Sequence, residues 1–102
     1  MICEIVRFKV RAGMTREEVL QDARTVVERW QGEKELVRKH FLFDGEGEAL
    51  GIYFWKSRQA AEAAHDEKWR NRVAEVHGSV PHIEYHDTLM IVDNLAGSVT
   101  EY

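Results

Sequence analysis

Residues 36–55 read LVRKHFLFDGEGEALGIYFW, and the fold prediction starts from this stretch. Its middle, from Asp44 to Glu48, is the strongest turn signal in the chain because aspartate and glycine favour tight turns. Aromatic and branched residues flank the turn on both sides, as they do in β-strands. The stretch therefore predicts a β-hairpin with strands at residues 36–43 and 50–55.

The register of this hairpin determines which side chains share a face, because a shift of one residue exchanges the two faces of a strand. One register collects apolar side chains on a face that we expect the helices to cover: Phe43 pairs with Leu50, Phe41 with Ile52, and Lys39 with Phe54. It leaves polar and aromatic groups together on the opposite, open face: Arg38, His40, Leu42, Gly51, Tyr53 and Trp55.

Two amphipathic helices are predicted outside the hairpin. Thr15 and Glu18 have the spacing of a capping box, in which each side chain binds the backbone amide of the other, so a helix begins there. Gly32 ends it. Ser57 begins the second helix, and Asp66 restarts that helix after a kink.

Residues 2–10 and 83–92 complete the set of predicted strands. The order strand, helix, strand, strand, helix, strand belongs to the ferredoxin-like plan, in which both helices cover one face of a four-stranded antiparallel sheet. The sequence therefore predicts a single α+β domain over residues 1–102.

The composition excludes several classes of protein. The chain has 14 Lys and Arg against 18 Asp and Glu with the signs interspersed, so it lacks the basic footprint of a nucleic-acid partner. No stretch approaches the roughly 20 apolar residues of a membrane span, and charged residues interrupt the apolar start that a secretory signal needs. Cys3 is the only cysteine, so no intrachain disulfide can form. We expect a cytoplasmic protein without a membrane partner.

The open face of the predicted sheet is too apolar to face water. Leu42, Tyr53 and Trp55 would form an exposed patch of the kind that marks an interface or a ligand site. Two sheets packed face to face would bury this patch and enclose a space between sheet and helices. We therefore expect a twofold homodimer through the open face.

The segment from Gly51 to Glu62, GIYFWKSRQAAE, and the following Glu67 to Arg70, EKWR, resemble the dimeric α/β-barrel superfamily. Residues 38–41 and 88–94 are similar to it as well. Within the superfamily, the chain most resembles small proteins described as monooxygenases. The resemblance implies a ferredoxin-like domain that dimerises into a barrel.

For function, the resemblance implies a cofactor-independent monooxygenase that acts on a small aromatic or polyketide-like compound in a pocket between sheet and helices. Such a protein positions the substrate, accepts its proton and excludes water while the carbanion reacts with oxygen. The superfamily also holds haem-degrading enzymes, isomerases and decarboxylases, and one fold serves many functions. The alternative is a non-catalytic dimeric ligand-binding or stress-related module.

His40 is the candidate catalytic residue, because a neutral imidazole can accept a substrate proton near neutral pH. The alternative is an interface histidine bonded across the dimer. The candidate substrate-binding residues carry aromatic, imidazole or guanidinium groups: Arg38, Tyr53, Trp55, His65, Trp69 and His86. Tyr53 and Trp55 either sandwich an aromatic ligand or pack in the dimer, and Trp69 is either a pocket wall or a core residue.

His82, Glu84 and His86 alternate along the last predicted strand and so point to one side of it. This is the only metal-like pattern in the chain. It lacks a second cluster, and charged residues on an edge strand also resist aggregation. Haem-degrading relatives carry an asparagine in the first strand, where this chain offers Arg7 instead. We predict no metal site and no cofactor.

Overall fold

The computed structural model describes residues 1–102 and has a four-stranded antiparallel sheet at its centre. Its strands are β1 (Ile2–Lys9), β2 (Leu36–Phe43), β3 (Glu48–Trp55) and β4 (His82–Asp87). They lie in the spatial order β2-β3-β1-β4, and every neighbouring pair is antiparallel. The predicted ferredoxin-like α+β plan is confirmed.

The helices are α1 (Arg16–Arg24), α2 (Val27–Gln31), α3 (Arg58–Ala64) and α4 (Glu67–His77). The capping box is present at the start of α1, where Thr15 and Glu18 accept hydrogen bonds from each other's backbone N–H. The kink predicted at Asp66 is a break between α3 and α4, and the Asp66 carboxylate accepts the backbone N–H of Trp69. None of the helices has the length and apolar character to span a membrane.

The hairpin register differs by one residue from the predicted one. Phe43 pairs with Ala49, Phe41 with Gly51, and Lys39 with Tyr53. The reason is the way in which Asp44 closes the loop. Its backbone N–H donates to the Glu48 carbonyl at 3.1 Å, and its carboxylate accepts the N–H groups of Glu46 and Glu48 at 2.7 and 3.0 Å. Residues 44–47 then form the connection between the two strands.

This register exchanges the two faces of β3. The prediction that Tyr53 and Trp55 lie on the open face beside His40 is therefore wrong, because both are buried on the face that the helices cover. Leu50, Ile52 and Phe54 occupy the open face in their place. For β2 the predicted faces are correct, with Lys39, Phe41 and Phe43 on the covered side.

The last predicted strand is two strands. β4 ends at Asp87, and β5 (Met90–Asp93) turns back to pair with β6 (Ser98–Glu101) in a separate two-stranded sheet. The Asp93 carboxylate makes the turn by accepting the backbone N–H groups of Leu95 and Ala96. The polar tail predicted from Asp93 is therefore a C-terminal hairpin. It exposes several apolar side chains: Met90, Val92, Leu95 and Val99.

The core lies between the covered face of the sheet and the helices. Six buried residues form it: Val6, Trp30, Tyr53, Trp55, Ala61 and Ala64. Trp30 packs against two other aromatic rings of this core in edge-to-face geometry. Its ring centre lies 5.2 Å from that of Tyr53 and 6.4 Å from that of Trp55. The small side chains of α3 allow that helix to lie close to these rings.

Candidate functional site

A cavity of about 470 Å³ lies between the covered face of the sheet and helices α1, α2 and α4. Its volume falls in the range of small-molecule sites in proteins. Aromatic side chains from strands and helices form much of its wall: Phe8, Trp30, Phe41, Phe43, Tyr53 and Trp69. A flat aromatic compound would find stacking and edge contacts on several sides.

Tyr53 reaches over the cavity floor because Gly51 has no side chain. A Cβ at Gly51 would lie 2.6 Å from Cε1 of Tyr53 and 3.0 Å from its hydroxyl oxygen, so the tyrosine ring occupies that space. Burial, reinforced by the charge of Glu4, raises the pKa of the Tyr53 phenol far above its usual value. The hydroxyl therefore keeps its proton and serves as a hydrogen-bond donor.

Lys39 is the only lysine that lines the cavity, and aromatic rings surround its amine. The Nζ atom lies 3.8 Å from the ring centre of Phe41, 4.3 Å from that of Trp30 and 4.4 Å from that of Tyr53. Burial, followed by the positive charge of Arg29, lowers the pKa of Lys39 to about 7. Much of this amine is therefore neutral near pH 7 and free to accept a proton.

Sequence reasoning missed Lys39 as a functional residue. The signal was its alternation with Phe41 and Phe43 on a strand face that the helices were expected to cover. An amine on a covered face is desolvated, and desolvation favours its neutral form. The position was predicted correctly, but no chemistry was drawn from it.

Glu4, Trp55 and His65 form a polar network behind the aromatic wall. The indole N–H of Trp55 donates to Oε1 of Glu4 at 2.9 Å. Nδ1 of His65 lies 2.9 Å from Oε1 and 3.0 Å from Oε2 of the same carboxylate, and it is assigned as a donor because a carboxylate accepts. The ring of His65 packs edge-on against Tyr53 at 4.6 Å and Trp69 at 4.4 Å. The network therefore holds the aromatic side chains of the cavity wall in position.

The predicted site residues divide into three groups in the structure. Tyr53 and Trp69 line the cavity. Trp55 and His65 lie behind it in the polar network. The other three are exposed on the open face of the sheet: Arg38, His40 and His86.

His40 does not meet Tyr53 and Trp55 as the predicted register required. It pairs with Ile52, and its ring lies 6.4 Å from that of Phe54. The one-residue difference in register is the physical reason, since it places Tyr53 on the other side of the sheet. Within one chain, therefore, the cavity contains no contribution from His40.

His82, Glu84 and His86 share one side of β4, as their alternation predicts. Each imidazole Nε2 lies 3.2 Å from a different oxygen of the Glu84 carboxylate. These hydrogen bonds, that of His86 first, lower the pKa of Glu84. No group of three His, Cys, Asp or Glu side chains in the structure has an arrangement that could hold a metal ion. The absence of a metal from the purified protein remains a prediction.

The strand order and the single covered face define a ferredoxin-like α+β fold. The chain superposes on the crystal structure of an antibiotic biosynthesis monooxygenase with a TM-score of 0.64 at 18% identity, over 87% of this chain and 99% of that one. The chain also superposes on the structure of Rv0793 from Mycobacterium tuberculosis with a TM-score of 0.64 at 17% identity, over 86% of this chain and 94% of that one.

A third similar structure is the monooxygenase from the gene ActVA-Orf6 of Streptomyces coelicolor, in complex with nanaomycin D. Its TM-score is 0.65 at 14% identity, over 89% of both chains. No protein-family model and no curated protein sequence matches the chain. At these identities the likeness shows the fold alone, and it agrees with the predicted ferredoxin-like plan.

Proposed function

We propose that this chain is a monooxygenase that oxidises a small aromatic compound in the cavity between sheet and helices. The observation that carries the proposal is the cavity itself, which combines aromatic walls with the amine of Lys39. Support comes from structures of the same fold that are monooxygenases, one of them in complex with nanaomycin D.

In the proposed reaction, a phenolic or enolic substrate transfers a proton to Nζ of Lys39. The resulting anion donates electrons to dioxygen, and a carbon–oxygen bond forms. The O–O bond then breaks, one oxygen stays on the substrate as a carbonyl, and the other leaves as water with the two hydrogens that the substrate has lost. The substrate supplies every electron, so the balance needs no external reductant.

The side chains around the amine have distinct roles in this proposal. Lys39 takes the role of proton acceptor that the sequence suggested for His40, because Lys39 lines the cavity and His40 is on the opposite face. The hydroxyl of Tyr53 donates to the oxygen that carries negative charge. Trp69 contacts the substrate ring, while His65 acts as a positioning residue that holds Trp69 and Tyr53.

We also propose that the chain forms a homodimer through the open face of the sheet. Apolar side chains on that face are incompletely buried in the single chain: Leu42 is exposed, and Ile5, Leu50, Ile52 and Phe54 are half-buried. The C-terminal hairpin β5–β6 exposes further apolar groups. A second copy would bury both surfaces, and it would place Arg38, His40 and His86 at or near the interface.

The test is oxygen uptake by the purified protein with a panel of phenols and hydroquinones, without added flavin or metal. We expect isotopically labelled oxygen gas to place one labelled atom in the product. Lys39→Met should lower turnover by about a hundredfold or more, the usual scale for a lost general base, while His40→Gln should leave it near the parent value. If no compound consumes oxygen, or if His40→Gln alone abolishes uptake, the proposal fails.

A further inference from the structure

The charged side chains that line the cavity are almost all positive, although the chain as a whole has a net charge of −4. Five basic residues contribute to the lining: Arg11, Arg16, Arg29, Lys39 and Arg72. Asp22 is the single carboxylate among the lining residues. A chain with more acidic than basic residues has thus concentrated positive charge around one cavity.

The four arginines that line the cavity come from different parts of the fold. Arg11 follows β1, Arg16 is the first residue of α1, Arg29 lies in α2, and Arg72 lies in α4. All four are exposed, whereas Trp30, which lines the cavity with them, is buried. The cavity therefore has an aromatic interior and a cationic rim.

None of these four guanidinium groups forms a salt bridge within the chain. Arg29 donates to the backbone carbonyl of Ala64 at 2.8 Å and stacks over Trp30 at 4.3 Å. The only side-chain hydrogen bond of Arg11 goes to the sulfur of Met14 at 4.0 Å. Three arginines elsewhere do have acidic partners within 4 Å: Arg7, Arg24 and Arg58. The guanidinium groups at the rim therefore have no carboxylate of the chain within salt-bridge distance.

The positive field also reaches into the cavity. The charge of Arg29 contributes to the lowered pKa of Lys39, and it acts on the Tyr53 phenol in the same sense. A cleft with charges of one sign and apolar walls focuses the field and attracts ligands of the opposite sign. An anionic group would find at this rim the planar donors that bind carboxylates in pairs.

We propose that the ligand of this cavity is an aromatic compound that carries an anionic group, with its ring in the interior and its anion at the arginine rim. This inference rests on the proposed use of the cavity as a substrate site and adds the chemical class of the substrate. The rings of Trp30 and Tyr53 contact the apolar part. Arg16 of α1 and Arg72 of α4 contact the anion.

The test compares the binding of 1-hydroxy-2-naphthoate and its uncharged methyl ester by titration calorimetry. At low salt we expect the carboxylate to bind about tenfold more tightly than the ester, the scale of one or two charge-assisted hydrogen bonds. The difference should shrink at high salt, because exposed charges are screened. Equal affinities for the two probes at low salt, or no binding of either probe, would overturn the inference.

Matched variants locate the anion. Arg16→Gln and Arg72→Gln should each weaken binding of the carboxylate by about threefold to tenfold and leave the ester unchanged. Asp22→Asn should strengthen binding of the carboxylate. Arg24→Gln is the control, because Arg24 lies on α1 with Arg16 but does not line the cavity. If Arg24→Gln has the effect of Arg16→Gln, the charge acts only through the overall field and the rim is not the site.

Binding and oxidation fail independently in these measurements. Selective binding of the carboxylate without oxygen uptake by any compound would leave the inference standing and reject the monooxygenase. Oxygen uptake with no preference for binding the carboxylate would support the monooxygenase and reject the inference about the anionic group.

Discussion

Glu4 and His65 are joined by a hydrogen bond of 3.0 Å between Oε2 and Nδ1, although neither side chain has any exposure to solvent. The same carboxylate accepts the indole N–H of Trp55 at 2.9 Å. One residue of β1 thus satisfies buried donors from β3 and from the junction between α3 and α4. Charge-assisted hydrogen bonds of this kind offset the desolvation of the carboxylate, so their loss leaves buried donors without partners.

Replacing Glu4 should therefore destabilise the fold. Glu4→Leu removes the acceptor of both donors, and we expect a loss of about 3–5 kcal/mol in the free energy of unfolding, measured with urea. Glu4→Gln keeps one acceptor oxygen, so its loss in the free energy of unfolding should be smaller. Glu46→Ala is the control, because Glu46 is exposed in the hairpin turn and should stay within about 0.5 kcal/mol of the parent. Equal losses for Glu4→Leu and Glu46→Ala would contradict the role of the network.

Local signals in the sequence predicted where several elements begin, although the helix predicted to run from Thr15 to Gly32 is two helices, α1 and α2. The capping box at Thr15, the turn after Phe43 and the restart at Asp66 all depend on contacts within a few residues. The faces of β3 could not be predicted in this way. They depend on how Asp44 closes its loop and on the bond from Trp55 to Glu4, whose positions are 51 residues apart.

In the candidate site, too, local patterns could be predicted from the sequence and contacts between distant residues could not. Tyr53 and Trp69 could be named from the sequence because aromatic residues in such positions line either a core or a pocket. The role of Lys39 depends on the rings of Trp30 and Tyr53, which come from α2 and β3, so the strand pattern alone did not reveal it. The cationic rim likewise could not be predicted, because its arginines come from different elements and meet only in the folded chain.

The contact between Gly51 and the Tyr53 ring predicts a steric effect. Gly51→Ala would place a methyl group 2.6 Å from Cε1 of Tyr53, so the ring must move, and we expect a loss of about 1–3 kcal/mol by urea unfolding. Gly32→Ala is the control, because its methyl group would lie 3.4 Å from its nearest neighbours. In a Tyr53→Leu background the cost of Gly51→Ala should largely disappear. If that cost stays the same in both backgrounds, the ring is not its cause.

The proposed dimer predicts that a charge on the open face dissociates the protein. Phe54→Glu would place a carboxylate without a partner in a desolvated interface, and we expect a folded monomer in sedimentation at micromolar concentration. Gln59→Glu, on the exposed surface of α3, should leave the dimer intact. A parent protein that is already monomeric at that concentration would reject the interface.

The lowered pKa of Lys39 predicts how stability depends on pH. The folded state holds this proton less tightly than the unfolded state, so its contribution to stability rises as pH increases from about 7 towards the ordinary lysine pKa of about 10.5. Lys39→Met removes the desolvated charge. It should stabilise the protein most at or below about pH 6, and the gain should shrink towards pH 10. Lys34→Met, at an exposed position, should show no such trend in thermal unfolding.

The same amine predicts the pH profile of oxygen uptake. Lys39 accepts a proton only when it is neutral, so the rate should rise with pH through an apparent pKa near the value of about 7 that burial gives the group. If Lys39 instead acts as a cation that stabilises the substrate anion, the rate should fall over the same range. Lys39→Arg separates the two mechanisms, because arginine keeps its charge and cannot act as a base near neutral pH. We expect Lys39→Arg to lose activity to the same extent as Lys39→Met, with retention of the fold checked by circular dichroism. Full activity in Lys39→Arg would assign the amine an electrostatic role and leave the proton acceptor elsewhere in the cavity.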